Sequence, residues 1–175
     1  MPGKNKPRPP LGVRLHNRET LYSGFLEVDQ YEVSHELFDG GWSKVLEREV
    51  MHRKEIAALL PFDPERQEVV LIEQFRVGAW AGDWPHPWLL ECIAGVMEAG
   101  ESAGEVAVRE AEEEAGCQVL ELELIGRFFT TPGGSSELVN LFCGRIDATG
   151  LGGIHGLADE GENIKASVWS LPDVL

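Results

Sequence analysis

The sequence predicts a mixed α/β chain in which one helix sits among many strands. Three observations carry this. Segments rich in aromatic and β-branched residues recur from about residue 19 to about residue 170, separated by Gly, Pro and Asp turns. One segment, about 103–115, has helical periodicity with a start signal and a stop signal. The chain has 175 residues, 43 % of them hydrophobic, which is enough for one sizeable core.

The elements follow in order. Residues 1–11 are basic and proline-rich with nothing to bury, and read as a flexible tail. Residues 12–54 read as an N-terminal antiparallel β region: "TLYSGFLEVDQYEV" and "WSKVLEREVMHR" alternate in part, with the turn signal "FDGGW" between them. Residues 55–175 read as the main domain. In it, "IAALL" and "VVLI" are dense enough for strands buried on both faces, joined by a turn at Asp63-Pro64-Glu65-Arg66. "GAWAGDWPHPW" is a loop, and "LLECIAGVM" a strand running into Gly95. Ser102 with Glu105 forms a capping box for the helix, and Gly116 stands where a helix needs a left-handed residue. Strands follow near 118–129, 138–146 and 164–170, separated by "TPGGSSE" and by "GLGGIHGLADEGEN". The final "LPDVL" reads as the beginning of a further helix.

Composition excludes some functions. A net charge of −15 rules out bulk electrostatic binding to nucleic acid or to anionic membranes. Cys92, Cys117 and Cys143 are scattered with no C-x-x-C spacing, so neither a disulfide framework nor a zinc cluster is expected. Reduced thiols and a cytoplasmic location are the default. No apolar run follows the basic start, as a signal peptide requires. "PWLLECIAGVM" is too short for a membrane span and is interrupted by Glu91.

The chemistry concentrates in "REAEEEAGC", residues 109–117. At about 100° per residue, Ala103, Ala107, Glu110, Ala111 and Glu114 share one arc of the helix. The alanines make that arc the packing face. Glu105 and Glu112 point the other way. Glu110 and Glu114 thus stand one turn apart among small apolar residues, where like charges repel and resist desolvation. Two readings follow. A hard divalent cation held by carboxylate oxygens would supply the missing positive charge, with Glu113 close enough to contribute. Alternatively Arg109 neutralises the carboxylates in a purely structural ion-pair cluster.

The surrounding spacing narrows this. Gly95, Glu101, Arg109-Glu110, Glu113-Glu114 and Gly116 resemble the Nudix box, G-x5-E-x7-R-E-U-x-E-E-x-G-U, where U is aliphatic. All seven fixed positions match over 22 residues; Ala111 and Cys117 are small for the U positions. Beyond the box, "LPFDPERQEVVLIEQFR", "PWLLECIAGVMEAGES", "TPGGSSE" and "GIHGLADEGENI" are similar to the ADP-ribose pyrophosphatase branch of that family, and Pro132 stands sixteen residues after Gly116, a marker of the branch.

The resemblance implies a Nudix fold, a mixed sheet sandwiched between helices. It implies hydrolysis of ADP-ribose to AMP and ribose 5-phosphate, with Mg²⁺, or Mn²⁺, as cofactor. Glu110 and Glu114 would be the main metal ligands and essential to catalysis, joined by Glu113, the backbone carbonyl of Ala94 and, with substrate present, Glu162. Glu160, on a mobile loop, would be the general base. Gly95, Glu101, Arg109 and Gly116 would be structural. Arg76, Arg48, Glu137, Gly133 and Phe25 would meet the substrate, Phe25 by stacking on adenine. The branch exchanges its N-terminal strands, so a homodimer is expected. Other nucleoside diphosphate sugars, such as ADP-glucose and GDP-mannose, and a non-catalytic ADP-ribose-binding module are the alternatives.

Overall fold

In the computed structural model, which describes residues 12–157 and 161–174, the early β segments become β1 (Val13–Ser23), β2 (Glu27–His35) and β3 (Leu46–His52). They form one antiparallel sheet in the order β1-β2-β3. β1 starts at Val13 rather than near residue 19 because all eleven of its residues are exposed, leaving no alternation to read. Gly40 (φ 95°) and Gly41 (φ 83°) supply the left-handed backbone of the "FDGGW" turn. The two buried residues of β2, Asp29 and Ser34, are both polar. Asp29 is paired with Arg18, and His52 Nε2 lies 3.1 Å from its carboxylate. This sheet forms a compact unit with Thr131–Ser136. Met51 N–H donates to the Gly134 carbonyl (2.9 Å), and Ser136 N–H to the Met51 carbonyl (3.1 Å).

The second unit comprises Lys54–Thr130 and Glu137–Leu175. Its strands are β4 (Ile56–Asp63), β5 (Glu68–Phe75), β6 (Trp88–Glu91), β7 (Ile93–Val96), β8 (Glu121–Phe129), β9 (Leu138–Arg145), β10 (Gly153–His155) and β11 (Ile164–Ser170). The sheet runs β10-β11-β5-β4-β9-β8, with β4 and β9 parallel and the other pairs antiparallel. β4 and β5 pair only at Phe62–Val69 and Asp63–Glu68 and then diverge. β6 pairs along β5 and β7 along β4, so each arm of the fork carries its own short strand. "LLECIAGVM" is therefore two strands rather than one, broken at Cys92.

Three helices lie among the described residues: α1 (Val77–Ala81), inside the segment read as a loop, α2 (Ala103–Ala115) and α3 (Leu171–Val174). Only α2 buries residues. Val106, Ala107, Ala111 and Ala115 join Leu59, Ile72, Ile93 and Phe142 in the core. The mixed sheet and few helices agree with the expected fold class. The capping box is complete, with Ser102 accepting from the Glu105 N–H and the Glu105 carboxylate accepting from the Ser102 N–H.

The turn after β4 is organised by Asp63, which is 2 % exposed. Its carboxylate accepts backbone N–H bonds from Ala148 (2.9 Å), Glu65 (2.9 Å) and Arg66 (3.0 Å). These bonds, that from Ala148 foremost, hold its pKa below the ordinary 3.8. A depressed carboxylate stabilises the fold above the unfolded value and ceases to do so as pH falls through the folded one. Asp63→Ala should lower the melting temperature at pH 7, and the gap to the parent should shrink below about pH 4. At the end of α2, Gly116 has φ 62°, and a Cβ there would lie 3.2 Å from His155 Cε1. Gly116→Ala should cost about 1–2 kcal/mol in urea unfolding, from left-handed strain alone.

Candidate active site

α2 turns Glu110 and Glu114 inward because the alanine face must pack on β4 and β7. Glu114 is 3 % exposed. The Glu110 side chain is 14 % exposed. Glu105 and Glu112 face solvent, as the periodicity predicts. The Glu114 carboxylate accepts the Ala94 N–H at 3.1 Å. At the next residue of β7, a Cβ on Gly95 would fall 1.9 Å from Glu110 Oε1. Glycine is thus the residue that lets the strand backbone approach the carboxylate so closely.

Arg109 pairs through Nη1 with Glu110 (2.7 Å) and Glu113 (2.9 Å), and through Nε with Glu101 (3.4 Å). Glu101 in turn accepts the Glu98 N–H at 2.8 Å, which ties the loop before α2 to the helix. The ion-pair cluster weighed from sequence is therefore present for Glu110 and Glu113. Glu114 has no contact with Arg109; its partner is the Ala94 backbone.

Burial pushes the Glu114 carboxyl up to about 8, with the charges of Glu110 and Glu162 adding to it and the Ala94 N–H and Arg76 opposing. Burial also raises Glu110, against the opposing charge of Arg109. Glu162 acts on both, so the chain brings it into the electrostatic field of the two helix carboxylates. Its own carboxylate accepts the Leu157 N–H at 3.0 Å. This donor set fits a hard divalent cation: the buried Glu114, held by no arginine, the half-buried Glu110 and a third carboxylate within their field, against a glycine-opened backbone.

Arg76, at the end of β5, also reaches this field, since its charge acts on Glu114. It is held by Glu91 of β6 in a bidentate pair, Nη2 to Oε2 at 2.6 Å and Nε to Oε1 at 2.9 Å. Sequence reading missed Glu91. The available signal was a single carboxylate inside the apolar run "WLLECIAG", which demands a partner.

The remaining candidates are dispersed. Phe25 (94 % exposed), Arg48 and Gly133 belong to the first unit. Phe25 is not a core residue, and Arg48 Nη1 donates to the Glu47 carbonyl at 2.7 Å. Glu137 accepts from Thr130 Oγ1 at 3.3 Å. Glu160, the candidate base, lies outside the described residues.

A second acidic group, Glu27, Asp29 and His52, has ligand atoms within 4.8 Å of one another. It lies in the first unit, away in sequence from the box, and the Arg18 guanidinium already pairs with both carboxylates.

The Glu114 shift has a measurable sign. Below pH 4.5 the carboxyl is neutral folded and unfolded; between 4.5 and about 8 only the unfolded chain ionises freely, so the metal-free fold loses stability as pH rises. A cation requires the ionised form and displaces the proton. The rise in melting temperature on adding Mg²⁺ should therefore be larger at pH 8 than at pH 6, measured by thermal melts with Mg²⁺ and with EDTA in its place.

The chain is similar to known proteins. The NUDIX domain family model matches residues 51–174. An ADP-ribose pyrophosphatase of Escherichia coli (strain K12) is 49 % identical over 158 residues, covering 90 % of this chain and 75 % of that protein. The ADP-ribose pyrophosphatase of Haemophilus influenzae is 42 % identical, covering 89 % and 73 %. A GDP-mannose pyrophosphatase of Cronobacter sakazakii is 42 % identical over 101 residues, covering 57 % and 52 %. A crystal structure of an ADP compounds hydrolase shares the fold, with TM-score 0.65 and 24 % identity, covering 91 % of this chain and 79 % of that one. With the box helix, its buried glutamates and a family match over most of its length, the chain belongs to the NUDIX domain family.

Proposed function

We propose that this enzyme hydrolyses the pyrophosphate of ADP-ribose, giving AMP and ribose 5-phosphate, with Mg²⁺ as the working metal and Mn²⁺ as a substitute. The observation that carries this is the pair Glu110 and Glu114 on the packing face of α2 against the β7 backbone, Glu110 half-buried and Glu114 buried with no arginine of its own. A buried carboxylate without a cationic partner fits a cation-dependent reaction. The relatives named ADP-ribose pyrophosphatase support the substrate.

Glu110, Glu114, Glu162 and the Ala94 carbonyl would hold the metal, with Glu113 released from Arg109 as an additional donor. When bound there, the metal would supply positive charge to the phosphate oxygens and polarise the bond to be cleaved. The protein's own groups do the rest. Glu160 takes the proton of the attacking water while the water oxygen bonds to one phosphorus and the bridging oxygen leaves with the other phosphate. Arg76 offers a planar cation to the pyrophosphate. Phe25, Arg48, Gly133 and Glu137 would bind the adenosine and ribose ends. Glu101 and Arg109 keep the loop and helix in register.

A homodimer and a cytoplasmic location complete the reading. The first unit supports the dimer: β1 exposes Val13, Leu15, Leu21 and Tyr22, and the buried residues of β2 are polar, so the sheet has little apolar interior of its own.

The test is release of AMP from ADP-ribose with Mg²⁺, with ADP-glucose and GDP-mannose alongside. Glu114→Gln and Glu160→Gln should each lower kcat by at least about 100-fold. Undiminished turnover in Glu160→Gln would remove the loop base. Preference for GDP-mannose would replace the substrate while leaving the metal chemistry intact.

A further inference from the structure

We propose that Glu91 is a positioning residue: it fixes Arg76 as a phosphate-binding cation and keeps that cation off the metal-binding carboxylates. The inference rests on the reaction proposed above only for its kinetic arm.

Arg76 ends the β5 arm, and its backbone is pinned on both sides. Its N–H donates to the Pro87 carbonyl (2.8 Å), and its carbonyl accepts the Trp80 N–H (3.1 Å). Glu91 stands on β6, opposite Ile72 of the same arm. Donor and acceptor therefore ride on one rigid hairpin. All three bonds between them come from Nε and Nη2. One edge of the guanidinium is committed to Glu91, and among the described residues the Nη1 end has no hydrogen-bond acceptor.

The alternative partners of Arg76 are the site's own acids. Glu114 and Glu162 both act electrostatically on Arg76, and Arg76 is the cation whose charge opposes the shift at Glu114. A long, flexible cation in the field of the buried Glu114, which no arginine holds, will fold onto it unless another acid holds the cation. In that collapsed arrangement Arg76 stands in for the metal, as Arg109 already does for Glu110 and Glu113. The bidentate grip of Glu91 prevents this. It is a geometric lock rather than mere charge balance, because a planar fork held along one edge points in one direction.

The experiment uses the full chain and two readouts. The first is the Mg²⁺ concentration giving half of the maximal rise in melting temperature, without substrate. The second is the steady-state kinetics of ADP-ribose hydrolysis. Glu91→Gln keeps the shape and loses the charge. It should raise the half-effective Mg²⁺ concentration about fivefold or more, and raise KM about tenfold with kcat changed less than threefold. The double variant Glu91→Gln with Arg76→Gln should restore the Mg²⁺ response of the parent while KM stays high. That recovery separates competition by Arg76 from simple damage to the fold.

An unchanged Mg²⁺ response in Glu91→Gln, or a double variant as weak toward Mg²⁺ as the single one, overturns the proposal. So does a loss in kcat with KM unchanged. Should Glu91→Gln fail to melt cooperatively, Arg76→Gln alone decides: it should raise KM and leave Mg²⁺ binding at least as tight as in the parent, and an unchanged KM or weaker Mg²⁺ binding overturns the idea. A parent that binds Mg²⁺ without cleaving ADP-ribose sinks the reaction proposed above, while the Mg²⁺ arm still tests Glu91.

Discussion

The constraint on which the site depends is the placing of two carboxylates on the one face of α2 that must pack. Val106, Ala107, Ala111 and Ala115 draw this face against the sheet, and Glu110 and Glu114 go in with them. Once buried, they cannot both ionise without compensation. The surrounding structure supplies it in parts: the Ala94 N–H for Glu114, Arg109 for Glu110, and Arg76 at longer range. The small residues have the same origin. Gly95 has no side chain because the Glu110 carboxylate occupies the space where a Cβ would stand. The alanines of α2 are small because the helix and strand approach closely.

Much of α2 was legible from sequence, since its determinants are local. The Ser102–Glu105 box, the alanine arc and the left-handed Gly116 act within a few residues of one another, and the helix spans Ala103–Ala115 as the pattern indicates. The turns at Asp63–Arg66 and at Gly40–Gly41 were legible for the same reason. The fork was not. Whether "LLECIAGVM" is one strand or two depends on which neighbours it pairs with, and those are set by β4 and β5 diverging far away in sequence. α1 was hidden in a segment whose Gly, Pro and Trp content reads as loop. At the site, the inward glutamates could be found by periodicity. The Arg76–Glu91 pair could not, because its partners lie fifteen residues apart, one just past the end of β5 and the other on β6.

The two arms of the fork divide the work. The β4 arm carries β7, whose backbone meets the helix carboxylates. The β5 arm carries β6 and with it Glu91 and Arg76. The helix carboxylates Glu110 and Glu114 face the β4 arm, and on the β5 arm the cation Arg76 is restrained by a carboxylate of its own, Glu91. The split sheet thus gives each charged group a separate support.

The parallel pairing of β4 with β9 has a consequence for how the chain is made. Ile56 meets Val139, and the ladder runs on to Phe62 with Arg145. While the chain emerges from the ribosome, the central strand waits with one whole edge bare until the segment near residue 145 arrives. That wait spans β5, β6, β7, the whole of α2 and β8. A loop closure of this length is slow relative to local hairpins, and the apolar strand "IAALL" stays available to wrong partners meanwhile. Biogenesis, more than the finished fold, is where this architecture is exposed to failure: a chain stalled or clipped before β9 would carry α2 on a sheet that cannot close.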